Sequence, residues 1–418
     1  MSKKLVTNIG QLVTPRGDEL VPGSEMSELS IFEDKEVLVE DGVIAEIGNK
    51  GSFDQLDIDN SDIVDAGDNP VLPGFVDPHT HFVFSGYRSE EFRMRLNGKS
   101  YEKIAEEGGG IASSVNSTRE APFSKLKEES KQRLRSMVRY GVTTVEGKTG
   151  YGLDKETELK QLKVMKELNA ETPMEIALTF LGAHSIPPKY SNRRNEYVEF
   201  ITREVSPIAA RKGAEFCDVF CDEGAFTVEE SRRILNEGRK VGLTPKIHAD
   251  ELAGTGGAEL AAEVGAISAD HLLRASDKGL QRMKEKGVVA VLLPITAFSL
   301  KENYARGRYM IDENLPVSLA TDFNPGSCFS ESIPLLISLA TLYMSMTLEE
   351  AITGLTLNGA AAINKADTVG SVEPGKQADL VILEAPDYRH LSYNIGVNSV
   401  GKVLKKGKVI WEKNRPRF

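Results

Sequence analysis

Two histidines one residue apart, His79-Thr80-His81, follow the short run Val71-Leu72-Pro73-Gly74-Phe75-Val76-Asp77-Pro78. In an extended segment, side chains at i and i+2 point to one face about 6.6 Å apart, so two imidazoles can converge on one cation; a helix would turn them to different faces. The spacing predicts half of a metal site at the end of a strand. The other ligands must come from elsewhere, and the rare residues supply candidates. The chain has six histidines, and five of them, His79, His81, His184, His248 and His271, fall with Asp322 at or just past the ends of apolar runs. His390, in Asp387-Tyr388-Arg389-His390, is the exception and reads as a surface or structural residue.

The elements that must carry these residues are eight strand-like runs: Gly74 to His81, Val142 to Glu146, Ile176 to His184, Phe216 to Cys221, Pro245 to His248, Ala266 to His271, Val288 to Leu293 and Val317 to Asp322. Polar, helix-periodic stretches such as Glu156 to Asn169 and Val228 to Arg239 lie between them. Alternation of this kind predicts an α/β fold, a (β/α)8 TIM barrel, whose strand ends form one rim where active sites are built. A doubly wound open sheet is the alternative, but no Gly-x-Gly-x-x-Gly follows the first strand. Pro78 removes a ladder donor and predicts a bulge just before the histidines.

Outside the barrel, short alternating runs with an Asp41-Gly42 turn fill the N-terminal stretch, and the same texture returns in Asp379 to Leu383 and Lys402 to Trp411. Neither end has enough strands to bury a face alone, so both termini are expected to build one small β-sandwich. The expected division is 1–70 and 365–418 for that domain and 71–364 for the barrel.

A net charge of −11 argues against nucleic acid or an anionic membrane as partner and requires placed cations for any anionic substrate. Three cysteines, Cys217, Cys221 and Cys328, give no even disulfide framework and fit a reducing cytoplasm. Cys217 and Cys221 lie about 13 Å apart along a strand, too far to share an ion, and read as buried inert thiols. No apolar stretch of signal-peptide type follows Met1-Ser2-Lys3-Lys4, and no run approaches the ~20 apolar residues of a membrane span.

The Pro-Gly-x-x-Asp-x-His-x-His of Pro73 to His81, the later barrel-end histidines, Asp322, and the closing Gly370-Ser371-Val372-Glu373-Pro374-Gly375-Lys376-Gln377-Ala378-Asp379-Leu380 together resemble the amidohydrolase superfamily. The stretches Phe82 to Phe92, Lys148-Thr149-Gly150-Tyr151-Gly152-Leu153 and Asp322-Phe323-Asn324-Pro325-Gly326-Ser327-Cys328 are similar to a branch that opens an imidazolone ring bearing a propionate tail, a step of histidine degradation. The resemblance implies that His79, His81, His248 and Asp322 hold one metal ion per subunit, Zn2+ or Fe2+/Fe3+. Two-metal members often use a carboxylated lysine at the end of the fourth strand; here that strand ends Cys221-Asp222-Glu223, so one ion is expected. Lys148 is expected to pair with a carboxylate.

By the same resemblance Glu251 is the acid/base, His271 and Asp322 orient the water and take up its proton, and hydroxide generated at the ion is the nucleophile. Arg88 would grip the propionate with its planar fork, the alternative being an ion pair with Glu90 or Glu91. Tyr151, His184 and Ser327 would contact the imidazolone, while Tyr151, Asn324 and Gly326 would hold the product; core packing is the alternative for Tyr151. Gly108-Gly109-Gly110 suggests a tight, mobile loop near the rim. A homodimer is a further implication of the resemblance. Two readings compete: a deaminase of the same superfamily, separable by ammonia release from purines or pyrimidines, and a non-catalytic scaffold, separable by the absence of bound metal.

Overall fold

The computed structural model describes residues 2–99, 103 and 109–413, so Gly108 of the glycine run lies outside the described residues. The N-terminal stretch forms strands β1 (Lys3–Thr14), β2 (Ser30–Glu40), β3 (Val43–Asn49), β4 (Ile63–Asp65) and β5 (Pro70–Pro73). The barrel strands follow as β6 (Phe75–Asp77), β7 (Val142–Lys148), β8 (Glu175–Ala183), β9 (Phe216–Cys221), β10 (Thr244–Ala249), β11 (Ser268–His271), β12 (Val289–Leu292) and β13 (Val317–Leu319). Strands β14 (Leu380–Leu383), β15 (Val400–Lys405) and β16 (Lys408–Glu412) complete the chain.

β6 to β13 pair in sequence order, every neighbour parallel. The first and last strands then meet just beyond their ends. Thr80 bridges Phe323, the Asp322 N–H donates to the His79 carbonyl at 3.1 Å, and the His81 N–H donates to the Phe323 carbonyl at 2.9 Å. The eight strands expected from the sequence therefore close into a barrel. The helices over Glu156 to Asn169 and Val228 to Arg239 are found as Lys155–Glu171 and Val228–Lys240. The second opens on a reciprocal capping box between Thr227 and Glu230 and turns Ser231, Ile234, Leu235 and Gly238 inward at helical spacing. Gly238 is required by close approach, since a Cβ there would sit 2.4 Å from the Cys217 sulfur on β9.

The termini meet as expected. One mixed sheet runs β16-β15-β14-β5-β1-β2-β3, with β4 beside β1. It curls until the β2–β3 hairpin touches the 376–378 segment, where Ile44 N–H donates to Lys376 O at 2.8 Å and Ala378 N–H to Gly42 O at 2.9 Å. Val6, Ile9, Leu12, Val37, Val39, Ile44, Leu380, Ile382 and Leu404 thereby share a core separate from that of the barrel. Gly74 is the joint between the two bodies, with β5 in the terminal sheet and β6 in the barrel. A Cβ at Gly74 would lie 2.3 Å from the Thr143 hydroxyl.

The first barrel strand is shorter than expected. It stops at Asp77, and its register shift lies between Phe75 and Val76 rather than beside Pro78. Pro78 cannot donate to the ladder, so the strand ends before it, and the histidine segment is held extended by Thr80 and by Lys148 N–H donating to Thr80 O at 2.9 Å. Among the described residues no helix is long and apolar enough to cross a membrane.

Candidate active site

His79, His81, His248 and Asp322, placed by β6, β10 and β13, come together inside the rim. His79 Nε2 lies 3.5 Å and His81 Nε2 3.7 Å from Asp322 Oδ1, and His248 Nε2 lies 3.5 Å from His81 Nε2. A tetrahedral ion with bonds of 2.0–2.2 Å has ligand-to-ligand edges of roughly 3.3–3.6 Å, so these separations fit one small cation. His79 Nε2 is buried without a hydrogen-bond partner, as an atom reserved for a metal would be. The nitrogens of His79, His81 and His248 all lie within 4.8 Å of one another.

The electrostatics favour a cation here. Burial, reinforced by the Lys148 charge, lowers His79 and His248 well below the ordinary imidazole range; burial, then His184, does the same to His81. All three rings are therefore neutral at pH 7 with a lone pair to offer. Burial pushes the Asp322 carboxyl up to about 7, a value that a divalent ion beside it would reverse. Thr296 Oγ1 donates to the other Asp322 oxygen at 2.7 Å and fixes the carboxylate plane.

Glu251 follows β10 and is nearly buried. Its Oε1 is 3.6 Å from His271 Nδ1 at the end of β11. Burial first, then Asp322 and Asp222, raises the Glu251 carboxyl well above the usual carboxylate range. Burial lowers His271 to about 4. The loop carrying Glu251 is tied by Asp222, whose carboxylate accepts the N–H groups of Glu251 at 2.7 Å, Leu252 at 2.8 Å and Ala253 at 3.0 Å. Asp250, His271 and Asp322 have φ of 52°, 75° and 52°, a left-handed conformation costly for side-chain-bearing residues. Asp250 offsets this cost by accepting N–H bonds from Gly256, Gly257 and Ala258 at 2.9–3.1 Å.

Arg88 realises its alternative without losing its fork. Its Nε donates to Glu91 Oε2 at 2.7 Å, while its Nη groups have no hydrogen-bond partner among the described residues. Gly326 lies directly against it, since a Cβ there would be 2.1 Å from Arg88 Nη1. Asn324 Oδ1 accepts the N–H groups of Gly326 and Ser327, both at 2.8 Å, and its amide donates to Ser327 Oγ at 2.8 Å. Its side chain thus shapes the loop that carries its neighbours. Tyr151 packs edge-on to His81 and His184 at ring separations of 5.8 and 5.3 Å, and His184 stacks on His81 at 5.0 Å. Buried Glu158 holds the Tyr151 loop through the N–H groups of Gly152 and Leu153, both at 2.8 Å.

Beneath the rim lies a layer of charge of which the sequence reading named only Lys148. Lys148 meets three carboxylates, Asp218 at 2.7 Å, Glu146 at 2.9 Å and Asp270 at 3.3 Å, and Lys246 meets Glu146 at 3.1 Å. The signal in the sequence was a charge inside a buried strand: Asp218 in Phe216-Cys217-Asp218-Val219, and Lys246 two residues before His248. Residues i and i+2 of a strand share a face, so Lys246 points inward with His248, as Glu146 does with Lys148. All three cysteines are buried free thiols.

The amidohydrolase family model matches residues 71–410. An imidazolonepropionase of Clostridium tetani is 54% identical over 412 residues, covering 98% of both chains. One of Bacteroides fragilis is 53% identical over 411 residues, covering 97% of this chain and 99% of that one. Of the solved structures, a 5-methylcytosine deaminase from Klebsiella pneumoniae superposes with a TM-score of 0.73 over 99% of this chain and 98% of that one, at 17% identity. A guanine deaminase from C. acetobutylicum does so with a TM-score of 0.69 over 98% and 100%, also at 17% identity. At that identity the likeness concerns the fold alone.

Proposed function

The chain belongs to the amidohydrolase family and, within it, to the imidazolonepropionases, a group of hydrolases, and from that premise we propose that it opens the ring of 4-imidazolone-5-propanoate to N-formimidoyl-L-glutamate. The observation that carries this reading is the convergence of His79, His81, His248 and Asp322 beside buried Glu251, with Arg88 Nη groups that have no partner among the described residues at the same rim. These four residues would hold one divalent ion, which would make hydroxide available at neutral pH by lowering the pKa of water toward ~7.

The rest of the reaction falls to the chain's own groups. Water's oxygen bonds to the ring carbonyl carbon as the C–N bond to the ring nitrogen breaks. That carbon becomes a carboxylate, and the departing nitrogen needs a proton. Glu251, whose carboxyl burial pushes well above the usual range, delivers it, and His271, with Nδ1 3.6 Å from Glu251 Oε1, orients the attacking water together with Asp322. Asp322 takes up the first proton that water gives up, and the second, released as the new carboxyl ionises, restores Glu251. Arg88, braced on Glu91, receives the propionate carboxylate with its free Nη groups, and Tyr151 and His184 flank the flat ring. Ser327 contacts the imidazolone ring as well, and Asn324 and Gly326, with Tyr151, hold the ring-opened product. Zinc and iron both suit three imidazoles and one carboxylate.

The test is incubation with freshly generated imidazolone propionate, following loss of its ultraviolet absorbance and assaying ammonia in the same tube. Absorbance loss without ammonia is expected. Ammonia release from purines or pyrimidines with no action on the imidazolone would overturn the reading in favour of a deaminase.

A further inference from the structure

The buried charges beneath the site are not used by the reaction above, yet they touch the candidate metal ligands. His79 Nδ1 lies 2.6 Å from Asp270 Oδ2, and His248 Nδ1 lies 3.0 Å from Asp218 Oδ2. The Lys148 ammonium contacts those same two oxygens, Asp218 Oδ2 at 2.7 Å and Asp270 Oδ2 at 3.3 Å. All three charged side chains are completely buried. Lys148 stands on β7 and its partners on β9 and β11, so one side chain crosses the barrel interior to reach both carboxylates.

We propose that Lys148 is a positioning residue for a metal ligand: by holding Asp270 in place beside Asp218, its ammonium fixes His79 as an Nδ1–H donor and so presents the His79 Nε2 lone pair to the ion. The argument follows a single proton on each ring. A neutral imidazole carries one N–H, and a carboxylate can only accept. With Asp270 against His79 Nδ1, the proton resides there and Nε2 is left bare, whereas His248 Nδ1 lies 3.0 Å from Asp218 without the alignment of a hydrogen bond. Two carboxylates aimed at one point repel, however, and stay there only with a cation between them. Without the ammonium they would turn apart, and the His79 ring could carry its proton on either nitrogen. Burial alone would lower the Lys148 ammonium, but Asp218, Glu146 and Asp270 outweigh it and raise it, so the charge persists at any working pH.

This inference rests on the reading of His79 and His248 as ligands, and the experiment separates the two. In the full-length zinc-loaded protein, metal affinity is measured by chelator competition for wild type, Lys148→Met, Asp270→Asn and His248→Ala. The nitrogen-15 shifts of the histidine rings are then read after chelation. Lys148→Met is expected to weaken zinc about 10- to 100-fold, the usual cost of losing an outer partner of a metal ligand, and to move part of the His79 population from Nδ1–H to Nε2–H. If Lys148→Met does not fold, Asp270→Asn carries the test, with the change confined to His79. Zinc affinity within twofold of wild type, or a destabilised variant whose His79 ring remains wholly Nδ1–H, would overturn the positioning role. Unchanged affinity in His248→Ala would instead overturn the ligand assignment beneath it.

Discussion

Replacing Gly326 by alanine adds one methyl group and tests whether Arg88 grips the substrate. Gly326 does not occupy the left-handed region, so its backbone accepts alanine, and the obstacle is the guanidinium itself. The new Cβ would fall 2.1 Å from Nη1 and 3.0 Å from Cζ. Carbon contacts are comfortable only from about 3.5 Å, so the fork must retreat by roughly 1.4 Å. Charge-assisted N–H···O bonds are about 2.7–2.9 Å long, and a retreat of that size carries them past 4 Å, where they no longer count as hydrogen bonds. Each such bond contributes about 1.5–3 kcal/mol, so losing the grip costs about 2–4 kcal/mol, or roughly 30- to 1,000-fold in KM. The assay is steady-state hydrolysis of imidazolone propionate beside an analogue without the carboxylate, with metal content measured on the same preparation. Metal should be unchanged and the analogue nearly indifferent. Arg88→Met should show the same pattern, and adding Gly326→Ala to it should cost little more. A KM within threefold of wild type, or equal penalties for both compounds, would refute the proposed orientation of the substrate.

His248→Ala should abolish both bound metal and turnover while the fold, cored elsewhere, survives; elemental analysis and circular dichroism decide it, and activity in metal-free protein would defeat the hydrolytic mechanism. Glu251→Gln should lower kcat by about 10²-fold or more with metal retained. Its raised carboxyl is protonated, and so able to act as acid, below its elevated pKa and loses that proton as pH rises through it, so the alkaline limb that Glu251 contributes to the kcat–pH profile should vanish in the variant. A drop of less than about threefold would leave His271 as the leading acid/base. Asp222→Asn removes a charge that restrains three N–H groups of the Glu251 loop, and should cost about 1–3 kcal/mol of stability together with kcat, measured by thermal unfolding and turnover, with metal content unchanged.

Much of this molecule can be read from spacing alone. The His79-Thr80-His81 triplet and the placement of His184, His248, His271 and Asp322 at strand ends needed only a period of two and a count of rare residues, and the barrel followed from the alternation around them. What spacing could not supply was facing across the barrel. Lys148 was expected to find one carboxylate and finds three, because Asp218 and Asp270 stand on strands two and four positions away around the ring. Asp222 and Glu158 escaped for a related reason. Their work is to gather backbone N–H groups of loops, about thirty residues on for Asp222 and five to eight residues back for Glu158, and no side-chain pattern records which backbone a carboxylate will meet. At Arg88 the two alternatives were posed as exclusive, but a guanidinium has enough donors to brace on Glu91 through Nε and still present its other nitrogens.

The barrel's closure sets an order of assembly. His79, His81 and Asp322 belong to the two backbone segments that pair last around the ring, roughly 240 residues apart along the chain, and immediately beneath them β5 pairs with β14 across a still longer separation. Loop-closure entropy opposes such contacts most strongly, so this seam is the natural last step of folding and the first to part. An ion bridging the two sides would act as a clasp as well as a reagent: chelation should raise hydrogen exchange at the amides of His81 and Asp322 before it does so in the middle of β9 or β10, and the chain would become competent for chemistry only once it had closed upon itself.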